Sequence, residues 1–189
     1  MQAQIAIALK DKKLAESSIA QLQDIDEVAY YYRKSRFEFL LGDKYQAEKD
    51  AEDALKFSNS NPRFHILAHL AFCKIAFKKT DEAENVLEKI DNNKKFGATN
   101  RDIRKGLRTR LAIARDRYED AFHLSDEIGD KSSASYKRTR RDVLEGYLNN
   151  CFVPDSKRTE LDAELTRLKA EFMSNDEIEL TPEIDSYFD

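Results

Sequence analysis

The fold is decided by residues 28–62, which read VAYYYRKSRFEFLLGDKYQAEKDAEDALKFSNSNP. Apolar and small residues recur there every three or four positions, which is the spacing of one buried helix face. The pattern is interrupted at Gly42-Asp43 and ends at Asn61-Pro62, and both pairs are typical of turns. The stretch therefore predicts two helices, at 26–41 and 44–58, whose short connection makes them antiparallel neighbours.

The same spacing continues outside this stretch, and no run alternates long enough to predict a strand. It predicts seven further helices, at 12–24, 63–78, 80–91, 100–115, 117–129, 132–150 and 156–173. A small residue occupies the first turn of each second helix of a pair, at intervals of 32, 36 and 38 residues, at Ala15, Ala47, Ala83 and Ala121. Such a period is typical of a helical solenoid. We therefore expect an all-α, right-handed solenoid of about five antiparallel helix pairs, capped by the helix at 156–173.

Residues 28–61 resemble a tetratricopeptide repeat, a helix–turn–helix unit of 34 residues. The matching positions are Tyr31 for the usual Trp, Ser35 for the small residue of the first helix, Gly42-Asp43 at the turn, and Ala47 and Ala54 in the second helix. The departures are Lys34, Glu38 and Ala51, where Leu, Tyr and Phe are usual.

Two later repeats resemble the family less closely. The repeat at 64–90 keeps Leu70-Ala71, Ala83 and Leu87 but has Lys78 in place of the turn glycine, and the repeat at 102–128 keeps Tyr118 and Ala121. The resemblance implies a protein-interaction scaffold whose concave surface is formed by the first helices. The carboxylate clamp of some members is not implied, because its Asn positions are not matched here.

The domain prediction is a repeat domain at 1–173 followed by an acidic tail at 174–189. The tail also contains apolar residues, so we expect it to pack in part, along the last helix or into a groove, or to serve as a short linear motif. Met1 aligns near the sixth position of a repeat. A half-formed first helix is a poor end for a solenoid, which predicts that the chain is the C-terminal piece of a longer protein.

Composition excludes several classes of protein. Gly and Pro number only 5 and 3 among 189 residues, which argues against disordered and turn-rich chains. No run approaches the ~20 apolar residues of a membrane-spanning helix. Cys73 and Cys151 have no CxxC spacing, and the N-terminus lacks the features of a secretory signal. We therefore expect a cytoplasmic protein with no membrane partner.

The net charge of −4 hides a basic segment, because residues 94–141 carry 14 basic and 7 acidic side chains. The basic residues that we predict to contact a partner are Arg101, Arg104, Lys105, Arg108, Arg115, Arg138 and Arg141. They form either a solvated surface or one continuous face for an anionic partner. That partner could be an acidic peptide, the chain's own tail or a nucleic-acid backbone, although a pI near 5.6 argues against nucleic acid.

Three consecutive tyrosines, Tyr30, Tyr31 and Tyr32, cannot all face one helix interface, because they span about 200° of arc. Either two are core residues and one is partly exposed, or one lines the ligand-facing surface. Tyr31 and Tyr32 are therefore added to the predicted partner contacts.

The residues that carry chemistry do not form a catalytic pattern. His65, His69 and Cys73 share one helix face, but zinc needs a fourth ligand, and no nucleophile or phosphate-loop motif is present. We expect no catalysis, no metal and no cofactor.

The predicted function is a scaffold that binds a peptide or a partner helix with acidic groups. The alternatives are a C-terminal regulatory or sensor module of a larger signalling protein or ATPase, which packs on upstream domains or self-associates, and an accessory domain that binds nucleic acid.

Overall fold

The computed structural model describes residues 12–58, 63–96 and 100–173, and within them all regular structure is helical. The helices are α1 (Lys12–Ala20), α2 (Glu27–Leu41), α3 (Lys44–Phe57), α4 (Phe64–Ala76), α5 (Thr80–Asn92), a 3-10 turn (Lys94–Phe96), α6 (Arg101–Ala114), α7 (Tyr118–Asp126), α8 (Ala134–Asn150) and α9 (Asp155–Met173). The all-α prediction is confirmed for these ranges. The predicted tail at 174–189 lies outside them. No helix in the described parts has the length and apolar content needed to cross a membrane.

The chain divides into two compact units, one up to Val86 and the other from Leu87. In the first unit, α1 packs on α2, α2 on α3 and α3 on α4. In the second unit, α6 packs on α7, α7 on α8 and α8 on α9, and α6 also contacts α8. Apart from the contact between α6 and α8, these contacts join helices that are neighbours along the sequence.

One backbone turn recurs three times, at Gly42, Lys78 and Asp116. These residues have φ values of 82°, 60° and 56°, which lie in the left-handed region. The residue after each of them donates its backbone N–H to the carbonyl five positions earlier, at 2.8–3.0 Å. This bond is the mark of a Schellman helix end. The same turn therefore returns after 36 and 38 residues, although only the first copy has the glycine that this conformation favours.

Small buried residues accompany each copy of this turn. They stand seven positions before it and five positions after it, and all six have no exposed surface: Ser35, Ala71, Thr109, Ala47, Ala83 and Ala121. Side chains of this size let a helix backbone approach its neighbour closely. Ala47, Ala83 and Ala121, which the sequence placed in the first turns of second helices, are thus all fully buried.

A close approach of a different kind occurs at Gly146 in α8. A Cβ atom at this position would lie 2.3 Å from Cδ1 of the Tyr118 ring, which belongs to α7. Gly106 in α6 is the contrasting case, because a Cβ atom there would meet nothing within 4 Å. Gly146 therefore has no room for a larger side chain, whereas Gly106 has.

Alanine substitutions at these two glycines should therefore change stability in opposite directions. Gly106→Ala is expected to raise the free energy of unfolding by about 0.5–1 kcal/mol, because alanine has the better helix propensity. Gly146→Ala is expected to lower it by about 1–3 kcal/mol, because the new methyl group overlaps the Tyr118 ring. Urea unfolding of both variants measures the difference. Equal stabilisation by both would show that the ring moves aside without cost.

Candidate interaction surface

A concentration of positive charge lies at the start of α6. Arg104 and Lys105 stand three and four residues after Arg101, and Arg108 stands three and four residues after Lys105 and Arg104. These spacings place the four side chains on one face of the helix. Leu107 and Leu111 are buried, with 4% and 3% of their surface exposed, and belong to the core side of α6. The pattern of α6 therefore separates a buried apolar side from a basic side.

The four basic residues of α6 line an open cleft of about 450 Å³, together with Asp91 from the end of α5 and Leu124 from α7. We call this feature the basic cleft. The four basic residues lie on one helix, and the sequence predicted them from their spacing. Asp91 and Leu124 belong to two other helices and were not predicted, because they reach the cleft through packing. Leu124 is half-buried and supplies an apolar part of the lining.

Two of the four cations are held by nearby acidic residues. Lys105 Nζ donates to the Glu127 carbonyl at 2.7 Å and lies 3.1 Å from the Glu127 carboxylate. Arg108 donates to Asp91 at 2.7 Å. Four cations and two carboxylates leave these six side chains with a net charge of +2. Arg101 is exposed and Arg104 half-buried, so both are accessible to a ligand in the cleft.

The first turn of α6 is fixed by Asp102. Its carboxylate accepts hydrogen bonds from the backbone N–H groups of Gly129 at 3.1 Å and Asp130 at 2.9 Å. The observed contacts tie the start of α6, and with it Arg101, to the loop that follows α7.

The predicted basic residues of α8 do not line the basic cleft. Arg138 and Arg141 act instead on Arg110 of α6, which stands about 200° around the helix from Arg108. Burial lowers the pKa of Arg110; Asp142 opposes this shift, and Arg138 and Arg141 add to it. The basic residues of α8 thus lie near Arg110 of α6, and the predicted continuous basic face stays a prediction. The sequence offered no signal for Arg110, because it lies off the predicted stripe.

Two further arginines, Arg140 and Arg115, lie outside the basic cleft. Arg140 is only 5% exposed, and its guanidinium lies 3.0 Å from both Asp126 and Glu164 and donates to Ser125 at 2.7 Å. Arg115 follows the last residue of α6 and is half-buried outside the residues that line the basic cleft. Its predicted contact with a partner stays a prediction.

The predicted tyrosines belong to the first unit. Tyr31 is half-buried and stacks on Phe57, with ring centroids 5.1 Å apart. Tyr32 is 5% exposed and packs edge-on against His65 and His69. Tyr32 is thus a core residue with little surface for a partner, whereas Tyr31 retains some. Their role in binding stays a prediction.

The first unit also contains a buried polar cluster of Ser35, His69 and Cys73. The Ser35 hydroxyl donates to the Ala47 carbonyl at 2.5 Å, so its oxygen accepts from His69 Nε2 at 2.8 Å. Cys73 Sγ lies 3.6 Å from the same nitrogen.

The electrostatics of this cluster oppose nucleophilic chemistry. Burial, with Arg36 and His65 nearby, lowers the pKa of His69 to about 3, and burial raises the pKa of the Cys73 thiol to about 12. A reactive cysteine needs the opposite arrangement, a stabilised thiolate beside a cation. Among the described residues, no group of three or more His, Cys, Asp or Glu side chains is placed to hold a metal ion.

The chemistry that the basic cleft supports is the binding of carboxylate groups. A guanidinium presents its donors in a planar fork that fits both oxygens of a carboxylate, and Arg101 and Arg104 stand one helical turn apart. No protein-family model, no curated protein and no solved structure matches this chain.

Proposed function

We propose that this chain is a divergent tetratricopeptide-like repeat domain and that it acts as a protein-interaction scaffold. The recurring turn at Gly42, Lys78 and Asp116 supports the repeat, because its intervals of 36 and 38 residues are close to the family period. The buried small residues on either side of each turn support antiparallel helix pairs. A right-handed solenoid is the arrangement in which such pairs stack.

The proposed ligand is a peptide or protein segment with acidic side chains, held in the basic cleft without catalysis. The observation that carries this proposal is the convergence of four cationic side chains on one open cleft, to which Asp91 and Leu124 also contribute. Arg101 and Arg104 would pair with two carboxylates, and Leu124 would contact an apolar side chain between them. Charge of this kind also steers an acidic partner toward the cleft.

Charge reversal in the basic cleft tests this function. A fluorescein-labelled oligoglutamate peptide is titrated with the full chain at low salt and followed by anisotropy. Arg101→Glu combined with Arg104→Glu is expected to weaken binding by about 10–100-fold, since each reversal removes an attraction and adds a repulsion. Binding should also weaken as salt increases. Arg108 is left unchanged because it is paired with Asp91.

The matched control is Lys13→Glu combined with Arg167→Glu. Both are exposed helical residues outside the basic cleft, and the control changes the net charge by the same amount. Equal weakening by the control would show that net charge alone draws the peptide, and the function would be rejected. Equally strong binding of duplex DNA, with a steeper salt dependence, would favour the nucleic-acid alternative instead.

A further inference from the structure

We propose that residues 174–189 of the same chain occupy the basic cleft and compete there with an external acidic ligand. This inference rests on the proposed function, because it adds regulation to the same cleft. It makes the C-terminal tail an internal competitor, displaced only by partners that bind more strongly or at several points.

Charge complementarity is the first argument. The tail carries six acidic side chains and no basic one, at Asp176, Glu177, Glu179, Glu183, Asp185 and Asp189. The basic cleft presents four cations, of which Lys105 pairs with Glu127 and Arg108 with Asp91. The tail also contains apolar residues, such as Ile178 and Leu180, that Leu124 of the cleft could contact.

The path of the chain is the second argument. Near the end of α9, Glu171 pairs with Lys137 in the first turn of α8. The backbone N–H of Lys137 donates to the Ser133 carbonyl at 3.1 Å, and the Ser133 hydroxyl donates to the Asp130 carbonyl at 3.3 Å. Asp130 in turn is bonded to Asp102 in the first turn of α6. The C-terminal end of α9 is therefore linked, through the start of α8 and the loop before it, to the first turn of α6.

The length of the tail is sufficient for this path. Residues 174–189 can span roughly 50 Å when extended, at about 3.3 Å per residue. This is nearly twice the length of α9, whose 19 residues rise about 28 Å in total. A segment tethered this closely acts at an effective concentration of about millimolar. A tail contact with a Kd of about 0.1 mM would then keep the cleft about 90% occupied.

The first test removes the charge of the tail while keeping the full chain. The variant carries Asp176→Asn, Glu177→Gln, Glu179→Gln, Glu183→Gln, Asp185→Asn and Asp189→Asn. It is expected to bind the labelled oligoglutamate peptide at least about tenfold more tightly than the parent chain, because the tethered competitor is lost. The gain should disappear when Arg101→Glu and Arg104→Glu are added.

A matched control separates this effect from a change in net charge. It neutralises six exposed acids on the described helices and turns instead, at Asp24, Glu88, Glu119, Asp155, Glu160 and Asp162. A tenfold gain in this control as well would overturn the tail proposal. If the neutral-tail variant binds the peptide, but no more tightly than the parent does, the tail proposal fails and the proposed function stands. If that variant does not bind the peptide at all, the proposed function itself fails.

A second readout locates the tail directly. A nitroxide is attached at Ser186→Cys in a Cys151→Ser background, where the remaining Cys73 is fully buried. We expect broadened amide signals at the start of α6, and recovery of those signals with Arg101→Glu and Arg104→Glu. Unchanged α6 signals would overturn the proposal. Broadening seen only when spin-labelled chains are mixed with isotope-labelled chains would also overturn it, in favour of the tail of a second copy.

Discussion

Replacement of Lys74 by methionine is expected to lower the free energy of unfolding by about 3 kcal/mol, through the loss of a buried ion cluster. The Lys74 side chain is 6% exposed, and its ammonium lies 2.7 Å from Glu48, 2.7 Å from Glu82 and 3.2 Å from Glu52. Glu48 is itself 11% exposed and would lose its more buried partner. Breaking a buried ion pair usually costs about 3–5 kcal/mol. The expected loss is at the lower end of this range, because Lys79 still bonds Glu48 at 2.7 Å.

The pKa shifts in this cluster agree with an attractive arrangement. Burial alone would raise the pKa of Glu48, but its hydrogen bonds from Lys74 and Lys79 outweigh this and the pKa is lowered. Burial would likewise lower the pKa of Lys74, yet the bonds to Glu48, Glu82 and Glu52 raise it. Both groups therefore stay charged at neutral pH, and removal of the lysine leaves a buried carboxylate without its main counter-charge.

Urea unfolding at neutral pH measures this loss, and two further variants interpret it. Lys56→Met removes an exposed pair with Asp53 and should leave the unfolding midpoint unchanged. Glu48→Gln added to Lys74→Met should recover part of the loss, because the uncompensated charge is gone. If Lys74→Met unfolds at the parent's midpoint, the cluster contributes nothing to stability.

The second large effect is a loss of stability in mild acid, caused by His69. Its pKa is about 3 in the folded chain, because the ring is buried beside Arg36 and His65, against 6.5 for an ordinary histidine. The unfolded chain therefore binds a proton below pH 6.5 that the folded chain refuses. Stability is fully present above pH 6.5 and falls as the pH drops toward 3. The expected loss is about 2 kcal/mol at pH 5, relative to pH 7.

Unfolding measured at pH 7, 6 and 5 tests this assignment. His69→Gln keeps a donor for Ser35 but cannot titrate, so it should be less stable at pH 7 yet nearly independent of pH over this range. His123→Gln alters an exposed histidine and should retain the full slope. A parent chain whose stability is the same at pH 7 and pH 5 would contradict the prediction. Glu48 contributes only at lower pH, because its lowered pKa starts from 4.5.

Helix positions were the most predictable feature. All nine predicted helices are present in the described residues, and most of their ends agree within two residues. The reason is physical, since a repeating apolar face is written in the sequence every three or four residues. Larger differences occur where a helix stops without a strong terminating residue: α1 ends at Ala20 and α7 at Asp126, rather than at 24 and 129.

Contacts between distant residues were the least predictable feature. The four cations of the basic cleft share one helix and could be read from spacing, whereas Asp91 and Leu124 reach it only through packing. The cluster around Lys74 joins three helices that are separate in sequence. No local sequence pattern indicates that three carboxylates surround this lysine.

The turn shared by Gly42, Lys78 and Asp116 bears on how such a chain changes over evolutionary time. Its closure depends on backbone hydrogen bonds, so the side chain at its centre is constrained only by the left-handed conformation. A residue other than glycine costs about 1 kcal/mol there, which a well-packed unit can tolerate. Substitutions at the centre of such a turn can therefore accumulate while the backbone geometry is kept, so that the main-chain shape is more constant among the three turns than the side chains are.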